Sequence, residues 1–345
     1  MPPQLNETQR EVQALAREIA EREVAPRAAE LNERHEIPRD AIRALGETGL
    51  LGVTIPEEYG GPGLDATSLC LVVEELAAAD AGTSVAVAVQ SGLAAAPIVR
   101  AGTEEQKQRW LPRLATGELI GCYALTEPEA GSDTASLRTR AERADDGGWS
   151  ISGSKQWITN GGFADLFVIF ARTGGPGPRG VSAFVSESAP GLTVSREMPK
   201  MGLHTSSTVE LAFDGLHVAD DAMLGPENEG LKLALATLDG GRITIAAQAC
   251  GIARAALDLA VSYASERQAF GGPIARFQGL QFPIADLAAA LDAARLLTYD
   301  AAAMRDAGQP HGPAGAKAKL FASSVAVQAA NVAVQTLGGY GYSAS

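Results

Sequence analysis

Gly117-Glu-Leu-Ile-Gly-Cys-Tyr-Ala-Leu-Thr-Glu-Pro-Glu-Ala-Gly-Ser-Asp, residues 117–133, is where the character of this chain changes. Before it, apolar residues recur at helical spacing. Asn6 and Gln9 form a capping pattern ahead of Val12, Leu15, Ala16, Ile19 and Ala20. A short helix opens at Pro38–Asp40 and ends near Gly46. Residues 56–65 are loop chemistry, and helices resume over 74–79, 85–100 and 104–114. After Gly117, residues 118–220 are rich in β-branched residues, glycine and turn pairs. The pattern predicts strands over 120–125, 149–152, 166–172, 180–186, 192–196 and 209–218. Such spacing suggests an antiparallel sheet or barrel, and the lack of β-α-β alternation argues against a dinucleotide-binding doubly wound fold. Beyond Gly225 three long alanine-rich segments, 228–266, 277–307 and 312–337, predict a helical bundle. The order is helical, β, helical.

Composition narrows the function. The chain has 345 residues, 46% hydrophobic and 20% charged, with net charge −13. That balance speaks against nonspecific nucleic-acid binding, which needs a basic footprint, and against an anionic membrane surface. No apolar run approaches the roughly 18 residues of a membrane span. The N-terminal residues Met1-Pro-Pro-Gln-Leu-Asn-Glu lack the basic and apolar regions of a secretory signal, so a cytoplasmic location is expected. Cys70, Cys122 and Cys250 are odd in number and widely spaced, which fits buried thiols in a reducing compartment. The four histidines have no metal-ligand spacing, and no metal is expected. Gly148 and Gly153 stand at phosphate-loop spacing, but Ser154 replaces the required lysine and a strand runs between them.

Four segments carry chemistry. Tyr123–Asp133 leaves a strand into a small-residue turn whose N–H and hydroxyl groups suit a flavin edge or a phosphate. Lys155-Gln-Trp-Ile-Thr-Asn-Gly puts Trp157 and Thr159 two residues apart on one strand, hence on one face, where an indole can cover a ring and a hydroxyl bind its polar edge. Leu238-Asp-Gly-Gly-Arg-Ile sets two glycines mid-helix, at a cost of roughly 2 kcal/mol against alanine. That points to close approach by a ligand or by another helix. Glu266-Arg-Gln-Ala-Phe-Gly-Gly-Pro-Ile, followed by Phe277-Gln278, is a helix end, a tight turn and a new helix. There Arg267 either complements a helix dipole or reaches a pyrophosphate.

In order and spacing, these segments resemble the acyl-CoA dehydrogenase family, joined by Gly49-Leu-Leu-Gly-Val-Thr-Ile-Pro-Glu-Glu-Tyr-Gly-Gly and Gln335-Thr-Leu-Gly-Gly-Tyr-Gly-Tyr. The short-chain, butyryl-type branch is the nearest match. The resemblance implies an α+β fold: an N-terminal helical domain over 1–118, a middle β-barrel over 119–225 and an incomplete C-terminal helical bundle over 226–345. It implies FAD as cofactor. Tyr123, Leu125, Thr126, Ser132, Trp157 and Thr159 would lie on the flavin, and Arg267, Phe270, Gln278, Gln335, Gly338 and Gly339 on the FAD of a neighbouring subunit in a homotetramer, a dimer of dimers. Ser132 with Asp239, Gly240, Gly241 and Arg242 would line the CoA side. The implied reaction belongs to fatty-acid β-oxidation. A carboxylate takes the α proton of an acyl-CoA thioester, hydride passes from the β carbon to the flavin, and the electrons go to an electron-transfer flavoprotein.

The base is the point of departure. The short-chain branch carries it on a glutamate in a Tyr-Glu-Gly-Thr segment, expected on the order of 15–20 residues past Ser345, or roughly 25 Å if helical. A second branch carries it where this chain has Gly241. Glu127, Glu129 and Asp239 are set aside as substitutes, so no catalytic residue is assigned. Losing a general base costs roughly 10²–10⁴ in rate, so the chain is expected to be weakly active or inactive. The alternatives are a non-catalytic flavin- or CoA-binding protein and a different flavoenzyme such as an oxidase.

Overall fold

The computed structural model describes residues 5–145 and 147–343. Outside the described residues lie the start of the N-terminal stretch read against a signal, Asp146 of the Asp145-Asp-Gly-Gly turn, and the last two residues of Tyr342-Ser-Ala-Ser. The chain divides into two compact units. One comprises Pro26–Asp65 and Val85–Gly241. The other comprises the chain up to Ala25, Ala66–Ser84, and everything from Arg242 on.

The first unit is built on a sheet of eight strands: β1 (Gly121–Ala124), β2 (Arg140–Arg143), β3 (Trp149–Thr159), β4 (Leu166–Arg172), β5 (Val181–Glu187), β6 (Leu192–Val194), β7 (Thr208–Val218) and β8 (Met223–Leu224). Their order is β6-β7-β3-β2-β4-β5-β8, with β1 pairing β4 off that path. The expected antiparallel sheet or β-barrel is therefore corrected. β1 and β2 both pair with β4 in parallel, so the sheet is mixed, and its path ends at β6 and β8 without closing. A barrel needs an unbroken ladder around its circuit. Here β2, Arg-Ala-Glu-Arg, buries only Ala141 and meets β4 through the single pair Arg140↔Arg172. β2 and β8 are absent from the strands predicted by pattern because they are short and, in β2, charged.

β4 explains the core of this unit. Leu166, Val168 and Phe170 join one apolar cluster with Ile98, Leu111 and Leu114 of the helices, while Phe167, Ile169 and Ala171 join another with Trp149, Phe184 and Leu211. Successive side chains point to opposite faces. A strand covered on both faces therefore reads as an unbroken apolar run, as residues 166–171 do.

The helices match their expected spans closely: Gly230–Glu266, Gln278–Asp306 and Gly312–Leu337. Asn6 and Gln9 form the expected capping box. The predicted helix over 85–100 is interrupted by a π-helical turn at Gln90–Ala95, a shift in backbone bonding that leaves no mark on composition. Ala81–Ala101, Gly230–Glu266 and Gly312–Leu337 are long and apolar enough to cross a membrane by length and composition. This corrects the reading that no stretch comes near that length. Alanine with scattered valine, leucine and isoleucine makes these windows apolar on average without a continuous run of large side chains.

In the second unit two adjacent glutamates anchor the bundle. Glu75 accepts hydrogen bonds from Arg254 Nη2 at 2.7 Å, Arg17 Nη2 at 3.0 Å and Gln13 Nε2 at 2.8 Å. Burial alone would raise its carboxyl, but Arg254, Arg17 and Gln13 hold it down at about 2. Glu74 accepts from Tyr299 Oη at 2.7 Å, and its Oε1 stands 3.1 Å from Arg295 Nε out of hydrogen-bond alignment. Burial pushes that carboxyl up. Asp306 caps the helix Ala66–Ala79, accepting from the amides of Ala66 and Thr67. Gly251 permits close helix contact, since a Cβ there would fall 2.3 Å from Glu74 O.

The depressed Glu75 carboxyl stabilises the fold fully above its unfolded value near 4.5 and loses that contribution as pH falls towards 2. The difference amounts to about 3 kcal/mol. Glu75→Gln is expected to lower stability at pH 7 by about that much and to leave the chain less acid-sensitive between pH 4.5 and 2. Thermal melting of both proteins across that range is the check.

Candidate active site

A cavity of about 210 Å³ lies within the sheet unit, and three segments wall it. Val89 and Leu93 come from the helix end and the π turn at Gln90–Ala95. That turn is fixed by Gln90, whose Nε2 donates to Leu114 O and Leu119 O while its Oε1 accepts from Gly121 N at the start of β1. Tyr123, Leu125, Thr126, Gly131 and Thr134 come from β1 and the excursion that follows it. The Tyr123 hydroxyl donates to Ala234 O at 3.1 Å, which holds the ring in place. Trp157, Ile158 and Thr159 come from β3, and Leu238 from the helix Gly230–Glu266.

β3 is irregular where it matters. Its ladder with β7 skips between Lys155↔Leu211 and Ile158↔Val209, so Gln156 and Trp157 face the single residue Glu210. This is a β-bulge, and bulges re-aim side chains. Trp157 sits at φ +64° and is 57% exposed. A bulky residue in the left-handed region costs on the order of 1–3 kcal/mol, a strain that surrounding structure must hold. Trp157 and Thr159 line one cavity together with Ile158 between them, an arrangement that simple alternation along a strand does not give and that accompanies the bulge.

Behind the bulge lies a buried charge pair. Lys155 is fully buried; its Nζ stands 2.8 Å from Glu127 Oε1 and donates to Leu125 O at 3.0 Å. Glu127 also accepts from the amides of Arg138 at 2.6 Å and Thr139 at 2.9 Å. Burial lowers the Lys155 ammonium to about 8, a shift Glu127 opposes. Burial works against the Glu127 charge too, but Lys155, Thr139 and Arg138 keep its carboxyl below the ordinary range. The pair could have been found in sequence: Trp149, Ile151 and Lys155 share the inward parity of β3, and a lysine there needs a buried partner.

The remaining expected site residues fall elsewhere. Ser132 is exposed beside Gly131 and does not line the cavity. Asp239 and Gly241 are half-buried, Gly240 is buried and Arg242 is exposed, and none lines the cavity. A Cβ on Gly241 would lie 3.1 Å from Leu93 Cδ2, so a cavity-lining side chain packs onto this glycine. In the bundle unit, Arg267, Gly338 and Gly339 line a cavity of about 470 Å³ with Tyr263, Thr336 and Tyr340. Gln278 and Gln335 are exposed outside it. Phe270 is 90% exposed at φ +52° and meets Phe277 edge-on.

Apolar walls, threonine hydroxyls and an accessible indole suit an aromatic ring with a polar edge. Small-molecule sites usually measure roughly 300–1,000 Å³, so a cavity of about 210 Å³ has room for one end of a cofactor and not for a whole dinucleotide. A helix–sheet–helix chain with such a cavity in its sheet unit is the class defined by fold and site. Family models for the acyl-CoA dehydrogenase N-terminal, middle and C-terminal domains match residues 6–118, 122–216 and 228–345. The chain belongs to the acyl-CoA dehydrogenase family, whose members are FAD-carrying oxidoreductases. It is 42% identical over 344 residues to a short-chain specific acyl-CoA dehydrogenase of Megasphaera elsdenii, covering 98% of this chain and 90% of that one. The solved butyryl-CoA dehydrogenase of that organism superposes with a TM-score of 0.97 at 42% identity, covering 99% and 91%. A structure described as the electron transferring flavoprotein of Acidaminococcus fermentans matches with a TM-score of 0.97 at 46% identity, covering 99% and 90%.

Trp110 and Trp149 are each 3% exposed, so Trp157 carries the solvent-accessible indole fluorescence. Acrylamide is expected to quench it readily in flavin-free protein and poorly once FAD is bound. Trp157→Phe is expected to abolish the accessible component; quenching unaffected by FAD would remove the ring from this cavity.

Proposed function

We propose that this chain catalyses the FAD-dependent α,β-dehydrogenation of a short-chain acyl-CoA thioester to a trans-2-enoyl-CoA, with electrons passed to an electron-transferring flavoprotein. The convergence of Tyr123, Leu125, Thr126, Trp157 and Thr159 on one cavity carries the reading. The short-chain and butyryl-CoA names of its relatives support the substrate class, and the Acidaminococcus structure supports the electron acceptor.

The residues present fit FAD. Bound FAD supplies the acceptor for the hydride leaving the β carbon. Trp157 would cover a ring face, and the Thr126 and Thr159 hydroxyls would bind its polar edge. Val89, Leu93, Leu125, Ile158 and Leu238 would give a bound ring an apolar surround. Ser132 with Asp239–Arg242 are proposed for the CoA side. In a homotetramer, Arg267, Phe270, Gln278 and Gln335–Gly339 of one copy reach the FAD of another. Exposed Leu320, Val327 and Val334, seven residues apart on the helix Gly312–Leu337, support self-association.

None of the residues lining the cavity carries a carboxylate. The expectation of weak or absent activity is withdrawn. It rests on where the sequence stops, and the named relatives support dehydrogenation instead. The non-catalytic alternative has no support either.

Anaerobic addition of butyryl-CoA to the FAD-loaded protein is expected to bleach the oxidised-flavin absorbance, faster than octanoyl- or palmitoyl-CoA does. Flavin that stays oxidised with every acyl-CoA would overturn the assignment.

A further inference from the structure

Two walls of the flavin cavity hang from one buried point. The excursion from β1 to β2, residues 125–139, supplies Leu125, Thr126, Gly131 and Thr134 to the cavity, and β3 just past Lys155 supplies Trp157, Ile158 and Thr159. The excursion has little structure of its own beyond the Glu127↔Ala130 bridge and a single turn at Thr134–Ser136. Its first residues are tied to β3 by Lys155 Nζ on Leu125 O and by Gln156 N on Thr126 O at 2.9 Å. Its last residues are tied back by the Glu127 carboxylate, which takes the amides of Arg138 and Thr139. Thr139 Oγ1 then donates to Ser154 O at 3.3 Å. The ion pair thus closes the excursion at both ends and joins it to the strand that carries the bulge.

Stability is a poor explanation for such a pair. Desolvating two charges cancels much of their attraction, and apolar replacements are often as stable. What the pair provides beyond stability is direction: each bond to a charged group is strong and geometrically strict, and the backbone groups it holds all belong to the cavity excursion.

We propose that Lys155 and Glu127 are a positioning pair for the flavin cavity, holding its two walls in register so that their loss changes how FAD is bound and not only how firmly the chain folds. The proposal rests on the reading that the cavity holds FAD. Neither residue lines the cavity; both act through Leu125, Thr126 and Trp157.

The test compares the FAD-loaded parent with Glu127→Gln and with the neutral double variant Lys155→Met/Glu127→Gln. Phe184→Leu, in the sheet core and not among the residues that line the cavity, serves as a structural control. The FAD dissociation constant is read from the flavin fluorescence regained on dilution, alongside the visible circular dichroism of bound flavin and the melting temperature. In the variants of the pair the dissociation constant is expected to rise about ten- to hundredfold with an altered flavin spectrum. In Phe184→Leu only the melting temperature is expected to fall. Variants that melt earlier yet keep the parent's FAD affinity and spectrum would reduce the pair to a structural contact and overturn the proposal. If the double variant does not fold, Glu127→Gln decides by the same readouts. A parent chain that does not retain FAD overturns the cofactor reading itself, and this proposal with it.

Discussion

A lysine ammonium with no access to water must find an opposite charge, and Lys155 finds Glu127 at 2.8 Å. Much of the sheet unit is arranged around that requirement. The carboxylate draws in the amides of Arg138 and Thr139, the ammonium draws in the carbonyl of Leu125, and the excursion between β1 and β2 is folded back on itself as a result. Immediately beyond Lys155 the ladder breaks, and the bulge turns Trp157 into the cavity at a backbone angle that a tryptophan rarely adopts. Strain and charge lie within two residues of each other, next to the place where the cofactor is proposed to sit.

The scaffold that tolerates this is stiff for ordinary reasons. β4 is apolar on both faces and joins two core clusters, so it fixes the neighbouring strands without help from charge. An open sheet suits the site. Because β2 touches β4 at one residue pair, the strands need not curl round to close, and the excursion leading into β2 keeps room to form a wall. The bundle unit solves its own charge problem differently. Two adjacent glutamates are buried, one depressed by two arginines and one raised by desolvation, and both tie helices distant in sequence.

How much of this was legible in the residues differs by element. The long helices and the strands over 166–172, 181–187 and 208–218 follow from periodicity and apolar runs, which are local properties. Arg140–Arg143 is a strand because β3, and at Arg140 β4, offer it partners, and nothing in Arg-Ala-Glu-Arg announces that. The π turn at Gln90–Ala95 likewise depends on Gln90 reaching Leu114, Leu119 and Gly121. Of the site, the motif residues Tyr123, Leu125, Thr126, Trp157 and Thr159 were identifiable and do converge. Val89, Leu93 and Thr134 carry no signal, because a lining role for a small apolar or hydroxyl side chain is decided by what faces it.

By itself the sequence determined the helical, β, helical order, the family, the cofactor class and the motif residues that line the cavity, because each is written in local spacing and residue type. Tertiary structure alone decided that the sheet is open and mixed, that a bulge and not alternation aims Trp157, and that Lys155 meets Glu127. Each of these depends on partners far apart in the chain, and a hydrogen-bond register or a buried counter-charge exists only once those partners meet.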